Sequence, residues 1–447
     1  MQQQRTDPVL EDFSEEKARL CEKTDRIPAN LFEEYGVNRG LRDAEGAGVL
    51  TGLTRISKVN GVKMVDGQRT PMEGELWYRG YNINTLVQES GEEPFGFEKA
   101  AYLLLFGQLP TEKELGDFLQ ILSGSRTLPD GFVREVIMQA PSKDVMNSIT
   151  RSILTLASYD PKANQTGVAN SLRQCIQLIA QFPMLVVYSY HAYNHYCNDA
   201  SMYIHNPDPK LSTSENLLSM LRPDQRYTAL EAKVLDICLM LHMEHGGGNN
   251  STFTTRVVTS AGSDTYSSIA AAMCSLKGPK HGGANIKVME MMDDIKAHVR
   301  DWKDQDEVRS YLERLAAGEG FDNSGLIYGM GHAIYTLSDP REKILKGFVQ
   351  ELAGAKGQED LLALYENIEA TAPEVIMKAR GRSKPVCPNV DFYSGFVYDM
   401  LGIPRELFTP LFATARIVGW SAHRIEELIT SSKIIRPAYM SVMEEVR

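Results

Sequence analysis

Apolar residues recur along most of this chain at three- and four-residue intervals and strict alternation is scarce, a pattern that predicts helices. Within 94–122, Phe97, Ala100, Ala101, Leu104 and Leu105 form one wide apolar face, Gly107 and Pro110 interrupt it, and Thr111 with Glu114 makes a capping box for a second helix. The segment therefore reads as a helical hairpin. Ser212 and Glu215 repeat the capping pattern, and Val145, Ile149, Ile153 and Leu156 keep near-helical spacing over 143–160. The most apolar stretch, 178–193, contains Gln181, Pro183 and His191; too short and too polar to span a bilayer, it predicts a buried helix. Strand signals concentrate at 49–65, where β-branched residues and the turn-type pair Asn60-Gly61 predict one small hairpin. Residues 1–48 are dense in charge and predict an amphipathic extension outside the core. Gly278-Pro279 and Gly395 are the expected junctions between two domains, since Gly-Pro breaks helices and glycine tolerates hinge torsions.

Composition narrows the class. With 447 residues the chain exceeds the usual size of one core, and 43% hydrophobic content is enough for two. A net charge of −11 argues against nucleic-acid or anionic-membrane binding, so an anionic substrate would have to be held by local arginines. Cys21, Cys175, Cys197, Cys238, Cys274 and Cys387 form no CxxC pair, which favours reduced, mostly buried thiols of a cytoplasmic protein over a disulfide framework or a zinc site. The N-terminus carries no secretory or transit pattern, so the glycosylation-type triplets at Asn164, Asn249 and Asn250 carry little meaning.

Three segments hold the chemistry: GPKHGGAN (278–285), GMGHAIYTLSDPR (329–341) and CPNVDFYSG (387–395). His281 follows a helix breaker and precedes a helix, where the positive end of the dipole favours a neutral imidazole able to donate one hydrogen bond to a carbonyl oxygen. The plain alternative is a capping or packing histidine. His332 stands among Gly329, Gly331 and Tyr335, and beyond it Asp339 and Pro340 mark a helix start that puts Arg341 in the first turn. A cation there opposes the dipole, which suggests another task such as gripping a carboxylate. Asp391 reads either as the N-cap of the following helix or as a general base in an apolar setting. A fourth block, LHMEHGGGNNSTFTTR (241–256), has His242 and His245 without zinc spacing and glycines without the lysine of a phosphate loop, so hydrogen bonding is favoured over metal or phosphate binding.

Taken together, HGGGNNSTF, GPKHGGAN, GMGHAIYTLSDPR, PNVDFYSG, ATARIVGWSAH and KIIRPAY, with WYRGYNI and AAYLLLFGQLPTEKEL upstream, resemble the citrate synthase family in order and spacing over residues 50–447. The resemblance implies an all-α fold of a large domain (50–280 and 395–447) and a small domain (281–394), with a minor N-terminal β-hairpin and a charged extension at 1–49. It implies condensation of acetyl-CoA with oxaloacetate, followed by hydrolysis of citryl-CoA to citrate. His281 would bond the thioester oxygen, Asp391 would remove the methyl proton and His332 would polarise the ketone. His245, Arg341 and Arg416 would hold oxaloacetate, together with Arg436 from a neighbouring subunit, which implies a homodimer or larger homo-oligomer. The Gly329-Met330-Gly331 loop would meet CoA through its backbone. No permanently bound cofactor, metal, nucleic acid or membrane is implied. Departures from the family are Glu244-His245-Gly246 where Asp-His-Glu is frequent, and Ala140-Pro141 where His-Pro is; the first 50 residues do not resemble the β-rich domain of the NADH-inhibited type.

Competing readings are a 2-methylcitrate synthase using propionyl-CoA, a citryl-CoA lyase-type enzyme and a non-catalytic CoA-binding protein. One methylene is worth only about 1–3 kcal/mol of discrimination, so the first is the nearest. Retention of the three catalytic side chains and the arginines weighs against the last.

Overall fold

The structure, a computed structural model, describes residues 7–43, 46–92, 94–381 and 384–443. The chain forms two compact units, Met1–Gly52 and Leu53–Arg447. In the first, Asp7 caps α1 (Pro8–Thr24) by accepting from the Val9 amide, with Pro8 in the first turn, and α2 (Ala29–Glu34) follows. Val9, Leu10, Phe13 and Leu20 of α1 are all exposed.

The second unit opens with an antiparallel sheet of β1 (Ser57–Val65), β2 (Gln68–Tyr78) and β3 (Tyr81–Asn82). The hairpin turns six residues later than the sequence suggested. Val65 pairs with Gln68, and the reversal uses Asp66-Gly67, both in the left-handed region at φ +50° and +79°. Two consecutive positive φ values match the twist of the flanking strands, which is why Asp-Gly makes this turn. Asn60-Gly61 instead sits at a register shift between Asn60 and Val62, a bulge in β1.

Helices make up nearly all the rest. After α3 (Ile83–Gln88), the expected helical hairpin consists of α4 (Gly96–Phe106), stopped by left-handed Gly107, and α5 (Glu112–Ser125), started by the Thr111–Glu114 capping box. α6 (Val145–Leu156) leads to α7 (Val168–Asn198), which contains the whole apolar stretch 178–193 and buries most of it. α8 (Thr213–Leu221) and α9 (Ala229–His242) both begin with capping boxes, from Ser212 and Thr228. α10 (Asn250–Ser260) and α11 (Thr265–Leu276) then pack on each other.

The Gly278-Pro279 breaker separates α11 from α12 (Ala284–His298), and α13 (Gln305–Ala316), α14 (Pro340–Lys356), α15 (Glu359–Arg380) and α16 (Val390–Met400) follow. Among these, α13 packs on α15, and α14 and α12 on α16. Gly395 lies inside α16, where a Cβ would stand 2.8 Å from the Met289 side chain. Close approach of α12, not hinge torsion, accounts for glycine there. Three of the six cysteines, Cys21, Cys197 and Cys274, are exposed, so burial is not the common feature of these free thiols.

The last helix, α17 (Phe408–Thr430), is buried along nearly its whole length and packs against α4, α7, α9, α10 and α11. It carries Arg416, Gly419, Trp420 and His423 into the interior. At Gly419 a Cβ would overlap the Met243 carbonyl oxygen and stand 2.5 Å from Glu244 Oε2. The missing side chain is what lets α17 close on the segment that ends α9.

Gly419→Ala should therefore destabilise the fold by about 1–3 kcal/mol in spite of alanine's better helix propensity, because the obstruction includes backbone. A lowered urea midpoint at unchanged m-value is the expected result.

Candidate functional site

The turn after α11 places His281 just ahead of the Gly283 cap of α12. Its Nε2 accepts from the Ser251 amide at 3.3 Å and lies 3.0 Å from Ser251 Oγ. A nitrogen that accepts from a backbone amide carries no proton, so the proton sits on Nδ1. Burial, reinforced by the nearby Arg416 charge, pushes the His281 pKa down to about 4, which keeps the ring neutral.

His332 is held by its own loop. Its Nδ1 accepts from the Ile334 and Tyr335 amides at 3.1 and 3.2 Å, which leaves the proton on Nε2. The ring stacks on Tyr335 at 4.7 Å between centroids and meets His245 edge-on at 5.0 Å. The Tyr335 hydroxyl has one proton, which it donates to the Glu75 carbonyl at 3.3 Å, so it accepts from His245 Nε2 at 3.2 Å. Burial and then the Arg341 charge hold the His245 pKa well below the ordinary value. His242, one turn earlier, has its pKa lowered to about 3 by burial; its ring faces the Cys238 carbonyl and its role is structural.

Arg341 and Arg416 are both buried, at 4% and 1% exposure, and are satisfied very differently. Asp339, the N-cap of α14, accepts from the Arg341 amide at 3.0 Å and takes a two-pronged bond from its guanidinium at 3.0 and 2.6 Å. The cation in the first turn thus has its neutralising partner two residues away. Arg416 donates through Nε to the His242 carbonyl at 2.6 Å and lies 4.6 Å from the Phe412 ring centroid, while its NH1 is buried without a hydrogen-bond partner. Burial, outweighing the attraction of Glu244, lowers its pKa to about 10. An orphaned donor on a buried guanidinium is an invitation to an anion.

Asp391 lies at the second position of α16, and Asn389 is the cap, accepting from the Asp391 amide at 3.0 Å. The capping role that the sequence offered Asp391 belongs to Asn389, because the helix starts two residues earlier than expected. Asp391 is half-buried. Burial raises its pKa to about 6; Arg341 and Arg416 pull it down and Asp339 pushes it up. The flanking Val390, Phe392 and Tyr393 turn into the core.

Gly329 and Gly331 both adopt left-handed torsions, φ +79° and +92°. Their loop is pinned to 387–389: Gly331 donates to the Cys387 carbonyl at 2.8 Å, and Asn389 donates to the Gly329 and Gly331 carbonyls at 2.9 and 2.8 Å. Of the loop's backbone, the groups of Met330 stay uncommitted to that bridge.

Behind the cluster runs a buried polar relay that the sequence did not announce. Glu244 Oε1 accepts from Ser57 at 2.8 Å, from the Gly246 amide at 2.6 Å and from His423 Nε2 at 2.9 Å. His423 Nδ1 accepts from Arg256, and Arg256 pairs with Glu426 and Glu427. Burial alone would raise the Glu244 pKa, but His423, Arg416 and Ser57 together bring it to about 2. The Glu244 charge therefore sits where Arg416 lacks a direct counter-ion.

Arg341 and Arg416 thus lie within electrostatic reach of each other, of His245 and of Asp391, while Arg416 also reaches His281 and His332 meets His245 edge-on. Arg436 lies apart, exposed on the segment after α17, and no ion pair joins it to another described residue. Tyr335 was visible beside His332 but gave no sign of joining it to His245, and Ser251 lies thirty residues from the ring it orients.

Residues 44–438 match the family model described as citrate synthase, C-terminal domain. A citrate synthase of Synechocystis sp. is 33% identical, covering 89% of this chain and 89% of its own, and a 2-methylcitrate synthase of Shewanella oneidensis is 34% identical over 81% and 87%. Among solved structures, a citrate synthase from Pyrobaculum aerophilum superposes with a TM-score of 0.73 at 30% identity, covering 89% of this chain and 91% of its own. One from Thermoplasma acidophilum, solved as a ternary complex with carboxymethyl coenzyme A and oxaloacetate, superposes at 0.72 with 28% identity over 92% and 97%. The class is that of a mainly helical acyltransferase. The chain belongs to the citrate synthase family.

The raised Asp391 pKa has a thermodynamic sign. A carboxyl titrating near 6 in the folded state and near 3.8 when unfolded contributes stability below about pH 4 that is lost as pH rises through about 6. Asp391→Asn should therefore raise the thermal midpoint at pH 8 and leave it nearly unchanged at pH 4.

Proposed function

We propose that this protein condenses acetyl-CoA with oxaloacetate to citryl-CoA and hydrolyses that product to citrate and free CoA. The observation that carries the reading is the pair of fixed neutral imidazoles, one with its proton on Nδ1 and the other on Nε2, set beside two buried guanidiniums and a carboxylate of raised pKa. Asp391 takes a methyl proton of the thioester while His281 Nδ1–H bonds its carbonyl oxygen. The resulting enol carbon forms a bond to the ketone carbon of oxaloacetate, whose oxygen takes up a proton as His332 Nε2–H stabilises the developing charge. Water then adds to the citryl thioester, and the thiol of CoA leaves.

A dianionic substrate suits the site's charges. Arg341 is already held by Asp339, so its remaining donors and the orphaned NH1 of Arg416 would share the two carboxylates with His245. Arg436 of the partner subunit would complete the grip in a homodimer. What supports this is the segment 431–443, tied to α10 by the Ile435 amide donating to Ser260 Oγ at 3.0 Å, on which Ile434, Tyr439, Met440 and Met443 are exposed. Residues 50–280 and 395–447 would form the large lobe and 281–394 the small one, closing over the substrates to exclude water. The Gly329-Met330-Gly331 loop would offer its uncommitted Met330 backbone groups to CoA. Six free cysteines suit a reducing compartment, and we place the enzyme in the cytoplasm.

Release of free CoA tests the reaction. With oxaloacetate and acetyl-CoA the wild type should release thiol, and Asp391→Asn should lower kcat by about two to four orders of magnitude. Activity should fall as pH drops through about 6, because the base must be ionised. Propionyl-CoA run in parallel reads the acyl preference: faster release with it would make the enzyme a 2-methylcitrate synthase. No release from either thioester would reject the proposal.

The shared site has its own test. Arg436→Ala and Asp391→Asn homodimers should each be nearly inactive, and verified heterodimers of the two should regain one competent site. Absence of recovery would place Arg436 outside the partner's site.

A further inference from the structure

We infer that the β1–β2 hairpin is a brace that positions His332 and Tyr335 for the ketone, acting through Gly61, Gly74 and Glu73; this rests on the role proposed above for His332. The hairpin packs directly on the loop that orients the two rings. At the β1 bulge, a Cβ on Gly61 would stand 2.6 Å from the Ile334 carbonyl oxygen and 3.3 Å from Tyr335 Cα. That is the stretch of chain whose amides hold His332 Nδ1. On β2, a Cβ on Gly74 would overlap the Ser338 carbonyl oxygen and stand 2.7 Å from the Tyr335 ring, the ring on which His332 stacks. Neither glycine has a positive φ. Torsional freedom therefore does not explain them, and close approach to the loop does.

Polar contacts fasten the same surface. The Gly74 amide donates to Ser338 Oγ at 3.2 Å, Ser338 Oγ donates to Glu73, and Lys343 of α14 bonds the same Glu73 oxygen at 2.6 Å. Glu73 and Lys343 thus tie the strand to the helix whose first turn carries Arg341. The Glu75 carbonyl takes the Tyr335 proton and so directs the hydroxyl to accept from His245. These contacts fall on 334–343, the stretch beside the groups assigned to oxaloacetate, and not on His281 or Asp391. The brace should accordingly govern the ketone substrate and not the thioester.

Gly61→Ala and Gly74→Ala are the direct test, read by CoA-release kinetics and by calorimetric titration with oxaloacetate. A displacement of the loop by even a fraction of an ångström should lower kcat/KM for oxaloacetate by about tenfold to a hundredfold and weaken its calorimetric affinity. The KM for acetyl-CoA should stay within about twofold, a split that a general loss of folded protein does not produce. Glu73→Gln and Ser338→Ala, at the rim of the contact, should raise the oxaloacetate KM several-fold, and they carry the test if an alanine variant fails to fold. Wild-type oxaloacetate binding and KM in the folded variants, or an equal loss toward both substrates, would overturn the brace. A wild type that binds oxaloacetate but releases no CoA would instead strike the proposed reaction, while the titration would still read the brace.

Discussion

Two buried guanidiniums lie within electrostatic reach of each other and of the Asp391 carboxylate, and much of the surrounding structure exists to make that tolerable. Arg341 carries its own counter-ion, because Asp339 caps the same helix and grips it with both oxygens. Arg416 does not. It enters on a helix buried along nearly its whole length and finds one carbonyl, one aromatic face and a carboxylate it feels only at a distance. Leaving a buried cation short of partners costs stability, and sites that bind charged substrates keep such deficits where the substrate will meet them. The Glu244–His423–Arg256 relay stands behind it as a fixed background of charge.

The imidazoles follow from the same field. Away from water and near Arg416, with Arg341 acting on His245 as well, a protonated ring is disfavoured, so His245 and His281 are neutral for electrostatic reasons before any chemistry is considered. Backbone amides then choose which nitrogen keeps the proton. For His281 the choice is made from α10, and for His332 by the amides of Ile334 and Tyr335 in its own loop. The carboxylate of Asp391 feels burial more than it feels the arginines, which leaves it more basic than an ordinary carboxylate.

Much of this molecule is legible without coordinates. The helical hairpin at 94–122, its capping box and the apolar helix around 178–193 follow from periodicity and local hydrogen bonding, which act over a few residues. Where competing local signals sat side by side, the outcome differed. Asn389 and not Asp391 caps α16, and Asp66-Gly67 and not Asn60-Gly61 turns the hairpin. In each case both residues were competent, and the register of neighbouring elements selected one of them.

What the chain determined by itself was its helices, their caps, and the identity of the polar residues gathered in a few glycine-flanked segments, because propensity, capping and motif order are properties of short stretches. Tertiary structure alone decided which nitrogen of His281 bears a proton, that Arg416 meets the His242 carbonyl but no carboxylate among the described residues, and that Gly395, Gly419, Gly61 and Gly74 mark close approaches of distant parts of the chain. These depend on residues tens to hundreds of positions apart meeting within a few ångströms, and no local pattern records which of them will meet.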